Sequence, residues 1–549
     1  MWFIVLNRYY LERLIQFIER ILQFVEQIFI VLSLYLFLDD EKSIIMKKGI
    51  NYFSVVFLIL SSGLIAQNQS YPIVDTGQEL FYDTVHEIPA PAVGSIFYGQ
   101  DAFYDGIQPE YSDNGDGTVS DLVTGLMWSK SYDMDGDGDI EYNDKMSYEE
   151  ALAAADTLSL AGYDDWRLPS IKEVYSLIMF YGIDPSGFEG STEDLVPFIN
   201  TDYFDFAYGD ESAGERIIDA QIASSTLYVG LTMMGDETMF GVNFADGRIK
   251  GYGTGPLPGH TEPKQFYVMF VRGAENYGIN DFIDNQDGTV TDNATGLMWT
   301  KDDDGSGMVW HEALEYAENS VYAGYDDWRL PNVKELQSIV DYTRAPSVSN
   351  SPAIDPVFNC TAITDEGGES NYPFYWSGTT HANWTENNEG SFGSYVCFGE
   401  ALGFMEQSPG SGIYTLMDVH GAGAQRSDPK TGNPDDYPYG NGPQGDVIRI
   451  YNFVRLVRDA ETTGMGSIEE QPEKLNIYPN PASQTITVSL KDAEMSNLSI
   501  IDTNGRVVYE TQVCGQTNTL SVSNLSDGLY IAMLENESGI RTGKFLIQK

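Results

Sequence analysis

Cysteine is scarce in this 549-residue chain: only Cys360, Cys397 and Cys514. Three cysteines cannot build a disulfide-dense scaffold. Histidine is nearly as rare, with His86, His260, His311, His381 and His420 scattered along the chain. No HExxH, GxSxG, Walker loop or CxxC occurs. His311-Glu312 lacks the second His four residues on, which argues against a zinc protease. Positive charge is the third shortage: 30 Lys+Arg face 82 Asp+Glu, for a formal net charge of −52. Phosphate contacts need clustered Lys and Arg, so this balance argues against nucleic acid as a partner. Apolar residues at 42% and aromatics at 13% are enough for real cores. The length leaves room for three or four domains.

Long apolar runs are confined to the N-terminus. Met1 to Leu38 is interrupted by charges at helical spacing, and its uncharged stretch, Gln27 to Leu38, is too short to span a bilayer. From Met46, Lys47 and Lys48 precede an apolar run, Tyr52 to Leu60, and small residues lead to a cleavage position after Ala66. This is a secretory signal layout over 46–66 for the Sec pathway. Met46 then reads as the initiator and 1–45 as an upstream extension; the rival reading is an amphipathic helix lying on the inner membrane. Export into an oxidising compartment leaves two readings for Cys360 and Cys397, a disulfide or two buried thiols.

The chain repeats itself. Residues 113–130, DNGDGTVSDLVTGLMWSK, return as DNQDGTVTDNATGLMWTK at 284–301, with 13 of 18 positions identical. AGYDDWRLP at 161–169 returns unchanged at 323–331. The offsets, 171 and 162, differ by nine residues, so copy one carries an insertion between the motifs. A repeat this long means duplicated domains, expected over 72–274 and 275–459. Each first motif reads as a hairpin ending in a buried Trp. A helix follows, opened in copy one by the capping box Ser147-x-x-Glu150. WRLP then leads into a second helix, IKEVYSLI or VKELQSIV, and late β-like runs close each copy. The expected class is α+β. In Asp164-Asp165-Trp166-Arg167 and its repeat, the Trp reads as core and the Arg as the partner of a nearby Asp.

These motifs, with the YWS-type strand and the terminal FVRxVR, resemble the DUF1566 family, the C-terminal domain type of the Legionella collagen-like adhesin. The resemblance implies a C-type-lectin-like fold, related also to the formylglycine-generating enzyme group, and surface attachment with glycan or matrix binding. The enzymes of that group use a cysteine-based site, and copy one has no Cys. The sugar-site signatures of calcium-dependent lectins, EPN or QPD followed by WND, are also absent. Candidate stacking aromatics for a glycan are Trp376, Trp384, Tyr375 and Tyr395, each weighed against a core role.

The insertion in copy one reads DMDGDGDIEYND. Alternating carboxylates and a Gly at position 6 fit a calcium loop of the EF-hand pattern. The expected ligands are Asp133, Asp135, Asp137, the Asp139 carbonyl, Glu141 and Asp144, with Ile140 as apolar anchor. Asp144 stands where an EF-hand has Glu, so a weaker, extracellular-type Ca2+ site is expected. Copy two keeps only DDDGSG. The DNGDG and DNQDG runs read as turns.

After a polar linker, 460–473, alternating strands separated by Asn-Gly and Asp-Gly turns predict a small β-sandwich at 474–549. Tyr478-Pro479-Asn480-Pro481, Asp502-Thr503-Asn504-Gly505-Arg506, Leu525-Ser526-Asp527-Gly528-Leu529-Tyr530 and Lys544-Phe545-Leu546-Ile547 resemble the type IX secretion sorting domain of Bacteroidota. That resemblance implies an Ig-like sandwich, handling by the type IX machinery and a destination at the cell surface or in the medium. Residues 67–473 carry 18 basic and 69 acidic residues, nearly all of the net charge. Such a surface repels sulfated polymers unless calcium bridges the contact, so a neutral glycan or an extracellular protein is the expected partner. With no catalytic constellation visible, the expectation leans from enzyme toward binding protein; a polymer-acting enzyme and a structural surface-layer component are the alternatives.

Overall fold

The structure, a computed structural model, describes residues 69–256, 261–408, 410–460 and most of 476–547. The N-terminal extension, the signal layout, nearly all of the linker and Cys514 lie outside the described residues. The described chain falls into two compact units, one over 69–462 and one holding the sorting region.

Both copies of the repeat lie in the first unit. In copy one, β1 (Tyr111–Asp113), β2 (Thr118–Asp121), β3 (Leu126–Ser129) and β7 (Val271–Gly273) form an antiparallel sheet in the order β1-β2-β3-β7. Between β3 and β7 come α1 (Tyr148–Thr157), α2 (Ile171–Ser176) and strands β4 (Gln221–Leu227), β5 (Thr238–Asn243) and β6 (Arg248–Gly253). Copy two repeats this with β8 (Phe282–Asp284), β9 (Thr289–Asp292), β10 (Leu297–Thr300), α3 (Trp310–Glu318), α4 (Val333–Ser338), β11 (Phe374–Thr380), β12 (Phe392–Cys397), β15 (Gln425–Pro429) and β16 (Val457–Asp459). It adds a long hairpin, β13 (Leu402–Glu406) and β14 (Tyr414–Asp418), and a short one pairing Ile363–Thr364 with Ser370–Asn371. The result is predominantly β with a few short helices.

The motifs explain their own geometry. Asp121 turns its carboxylate onto the Val123 and Thr124 amides and shapes the β2–β3 turn. The first and last residues of the 18-residue motif close it as an ion pair, Asp113–Lys130 at 2.7 Å and Asp284–Lys301 at 2.6 Å. Trp128 and Trp299 end in the core. The Ser147–Glu150 capping box opens α1. In WRLP, the main partner of the Arg is a Glu, with the exposed Asp459 a second, longer contact of Arg329 at 3.5 Å. Arg329 binds Glu335 through two hydrogen bonds, 2.5 and 2.7 Å, while Glu335 also caps α4 through the Asn332 amide. Arg167 and Glu173 repeat the arrangement. The expected Asp partners serve the terminal strands instead: Asp165 pairs with Arg272 and Asp327 with Arg458. One glutamate reaches both a helix cap and a buried guanidinium, which a single Asp in the loop would not reach.

The two copies share a six-stranded sheet, ordered β4-β5-β6-β15-β12-β11. β6 and β15 meet antiparallel at Ile249 and Gln425, so each copy covers the other's sheet edge. Behind it the contact is reciprocal. Lys172 on α2 donates to Ser338 O on α4 at 2.7 Å, and Lys334 on α4 donates to Ser176 O on α2 at 3.0 Å. Each lysine also holds the other copy's lead-in: Lys334 donates to Asp75 O, Lys172 to Gly278 O and Asn280 Oδ1. This is the self-complementary pattern of a two-fold interface within one chain. One hydrophobic core runs through it, from Trp128, Ile178 and Phe240 to Trp299, Leu336 and Tyr375.

In the second unit, β17 (Asn476–Tyr478), β18 (Thr485–Ser489) and β21 (Thr517–Ser521) form one sheet. β19 (Ser496–Asp502), β20 (Val507–Val513), β22 (Gly528–Asn536) and β23 (Gly539–Ile547) form the other. Ile486, Val488 and Leu520 from the first pack with Leu498, Ala532 and Phe545 from the second in one core.

Replacing Glu335 with Ala leaves the buried Arg329 guanidinium with only the exposed Asp459 at 3.5 Å and removes one of the two hydrogen bonds of the α4 capping box, at a cost of about 3 kcal/mol. Urea unfolding of Glu335→Ala should show this as a lowered midpoint with an unchanged slope; an unchanged midpoint would refute the role.

Candidate functional site

The insertion of copy one folds as a tight loop. Asp133, Asp135 and Asp137 each offer a carboxylate oxygen within 4.8 Å of the other two. Asp133 accepts the Gly136 and Gly138 amides, and Gly138, at position 6, has φ of +99°. That left-handed conformation favours glycine and lets the chain bend around the three carboxylates. Asp144 is buried and accepts the Met134, Asp135 and Glu141 amides. It therefore ties the loop's two ends together and is not gathered with the other three carboxylates. Asp139 is exposed, and Glu141 accepts Asn143 at 2.7 Å. Ile140 packs on the core as expected. The donor set is oxygen only, the kind a hard cation such as Ca2+ takes. In DNGDG and DNQDG, Asp116 and Asp287 accept from Thr118 and Thr289, which is turn chemistry.

Just past this loop, Lys145 donates to both oxygens of Glu215 at 2.6 and 2.5 Å and to Asp219 O at 2.6 Å. Glu215 stands on the wall of a cleft of about 770 Å³. The cleft opens over the shared sheet. On β6 the alternation Arg248, Lys250, Tyr252 sends every second side chain to this face while Ile249 enters the core. Arg426 on β15 and Tyr395 on β12, directly paired in register, join them. Asn383, Asn441 and Gln444 add amide groups from copy two.

The charges on this face are arranged in pairs. Arg248 meets Asp184 at 2.7 Å, Lys250 meets Asp246 at 2.6 Å and Arg426 meets Asp446 at 2.5 Å. Burial alone would raise Asp184, but Arg248 and His381 hold it well below the usual carboxylate range. His420 contacts Asp446 at 2.8 Å and also touches Arg426. Burial first, then the neighbouring Arg426, push His420 down to about 4, with Asp446 opposing. Lys264 also lines the cleft, its ammonium 4.7 Å from the Tyr252 ring centre.

Of the candidate stacking aromatics, Trp376 and Tyr375 are fully buried in the core. Tyr395 is buried as well though it lines the cleft, and Trp384 is exposed, donating to Ser186 O at 2.9 Å. Cys360 and Cys397 are both free thiols. Sequence reasoning missed the cleft. Its signal was the alternation Arg-Ile-Lys-Gly-Tyr at 248–252, readable as a half-buried strand but not as one wall of a site.

Comparisons with known proteins agree with the motifs. The Lcl C-terminal domain pattern matches residues 117–272 and 288–410. The secretion system C-terminal sorting domain pattern matches residues 476–548, which marks the chain for export by the type IX machinery to the cell surface or the medium. Among curated protein sequences nothing matches. Among solved structures, PorZ, a surface component of the type IX secretion system of Porphyromonas gingivalis, aligns at 12% identity and a TM-score of 0.12, over 60% of this chain and 47% of its own. A β-glucuronidase from Ruminococcus gnavus aligns at 12% identity and a TM-score of 0.12, over 30% of this chain and 38% of its own. The chain thus spans less than half the length of either structure, and at these scores neither likeness carries an argument about fold or activity.

The position of His420 has a consequence for stability. Its folded value, about 4, lies below the ordinary 6.5, so the folded state prefers the neutral ring. Stability is then complete above pH 6.5 and is lost as pH falls toward 4, by about 2–3 kcal/mol. Thermal melts of the wild type and His420→Gln across pH 4 to 7.5 should show the variant with the flatter profile; parallel profiles would count against it. With its first pattern matched over just over half of its length, in two copies ahead of a sorting tail, the chain belongs to the Lcl C-terminal domain family.

Proposed function

We propose that the protein is an exported binding protein of the adhesin type. It takes a glycan or an extracellular protein in the cleft over the shared sheet and holds Ca2+ in the 133–144 loop. The observation that carries this reading is the cleft itself. Its volume lies in the range of small-molecule sites, and its walls mix paired charges, amides and tyrosines. The two helices set against late antiparallel strands in each copy support a C-type-lectin-like reading, and the two packed sheets of the sorting unit an Ig-like one. The family supports surface attachment, with the sorting tail leading to the outer-membrane face. The acidic exterior of 67–473 disfavours sulfated polymers and favours partners of low charge.

Calcium has a structural task here. Three carboxylates within 4.8 Å repel one another, and a divalent cation removes that repulsion. Asp133, Asp135 and Asp137 would supply side-chain oxygens, with the Asp139 carbonyl and Glu141 completing the set. Through Lys145 and Glu215, the loop's conformation is tied to the cleft wall.

Two measurements follow. Calorimetry on the intact chain should give a Ca2+ dissociation constant of ~10⁻⁴–10⁻³ M. Asp133→Ala and Asp137→Ala should abolish the heat, and unchanged heats in both variants would refute the loop as a calcium site. A glycan and matrix-protein array, run with calcium and with chelator, should show binding that chelation weakens. No binding to any probe would sink the adhesin reading.

A further inference from the structure

We propose that the cleft over the shared sheet recognises a carboxylate, and that its preferred ligand is a glycan residue bearing one such group, a sugar acid. This rests on the reading of the cleft as the ligand site and goes beyond it by naming the ligand's chemistry.

Residues 67–473 hold 18 basic side chains among 69 acidic ones. Five of the 18 line this one cleft: Arg216, Arg248, Lys250, Lys264 and Arg426. Four of them have a carboxylate partner within 4 Å; Lys264 has none among the described residues. Its ammonium rests against the Tyr252 and Phe266 rings, at 4.7 and 5.6 Å from their centres. Burial pushes Lys264 down to about 8; Arg216, Lys250 and Lys145 add to the shift, and Asp219 opposes it. Lys264 is half-buried, so its ammonium stays open to the cleft while its carbon stem is packed. A ligand carboxylate at this point would supply the missing counter-charge.

The neighbours have donors to share. Arg216 uses Nε and Nη2 on Asp219, leaving Nη1. Lys250 makes one hydrogen bond, to Asp246, out of three possible. Lys264, Lys250 and Arg216 therefore offer spare N–H groups to one cavity, and a carboxylate accepts several at once. The rest of the lining fits a sugar better than a peptide backbone. Asn383, Asn441 and Gln444 suit hydroxyl groups, and Tyr252 and Phe392 give ring surface. Glu189, Glu211 and Asp236 are also on the lining and carry negative charge. They oppose a polyanion with closely spaced sulfates. With Asp184, Glu215 and Asp446 also on the lining, the cleft as a whole is not cationic, and the preference rests on the local group Lys264, Lys250 and Arg216.

The test compares a trimer of galacturonate with its methyl ester, which has the same ring and hydroxyls but no charge. On the intact chain, calorimetry should show the acid binding about tenfold tighter than the ester. Lys264→Gln and Arg216→Gln should each erase that preference while leaving ester binding in place. Because Lys264 has no carboxylate partner to lose among the described residues, Lys264→Gln should melt at or above the wild-type temperature, which separates lost recognition from lost folding. Equal binding of acid and ester, an equal loss of both in the variants, or preference for an aspartate-rich peptide overturns the proposal. If neither trimer binds but other glycans on the array do, the carboxylate inference fails and the glycan-binding reading stands. If no probe binds at all, both fail.

Discussion

Two lysines reaching across a seam hold the constraint on which the main unit depends. Lys172 and Lys334 occupy equivalent places in the two copies, and each donates to the carbonyl that ends the other copy's short helix. A helix of six residues leaves most of its carbonyls without internal partners. Buried at a seam, those carbonyls need donors from outside. The cross-seam lysines supply them, and at the same time tie down the opposite lead-in. Burial pushes Lys334 down to about 7 and Lys172 to about 8, so neither carries its charge cheaply. Lysine is retained at these two places because an apolar side chain would leave the carbonyls unsatisfied.

The other features of the unit follow from that seam. With the helices locked back to back, β6 and β15 come together and two exposed sheet edges disappear into one six-stranded sheet. The open face of that sheet is the floor of the cleft, and its walls come from both copies. A single copy would have half of the floor and lack the second wall. The divergence between copies is placed accordingly. Copy one carries the acidic loop, braced through Lys145 to Glu215 on the cleft wall; copy two carries the β13–β14 hairpin, and Asp446, paired with Arg426 in the cleft, follows that hairpin in sequence. Duplication supplied the frame, and the unequal insertions made its two sides different.

Much of this was legible in the residues. The 18-residue motif announces a hairpin because Asp-Gly and Thr-Gly allow only a tight turn there, and the hairpins form at 118–129 and 289–300. Ser147 and Glu150 announce a helix start and provide one. Asp133, Asp135, Asp137 and Gly138 announce a loop that gathers carboxylates, and the first three come within 4.8 Å of each other. These are local statements, carried by neighbours within a few residues. Where the partner lay farther off, the reading slipped. The WRLP arginine reads as the partner of a nearby Asp, whereas the Glu one helical turn into the next helix fits its fork in two bonds.

The sequence by itself determined the duplication, the hairpins and caps, the acidic loop, the sorting tail and the placement of charge in 67–473. Each depends on residue type and short-range spacing, or on a total that needs no coordinates. Only the tertiary structure decided that the copies share one sheet and one core, that Asp144 closes the loop through backbone amides, and that five of the few cations meet in one cleft. Those outcomes depend on pairs such as Gln425 with Ile249 and Lys334 with Asp75, separated by well over a hundred residues. No periodicity records such pairings. They are selected when the whole chain collapses and each buried polar group must find a partner.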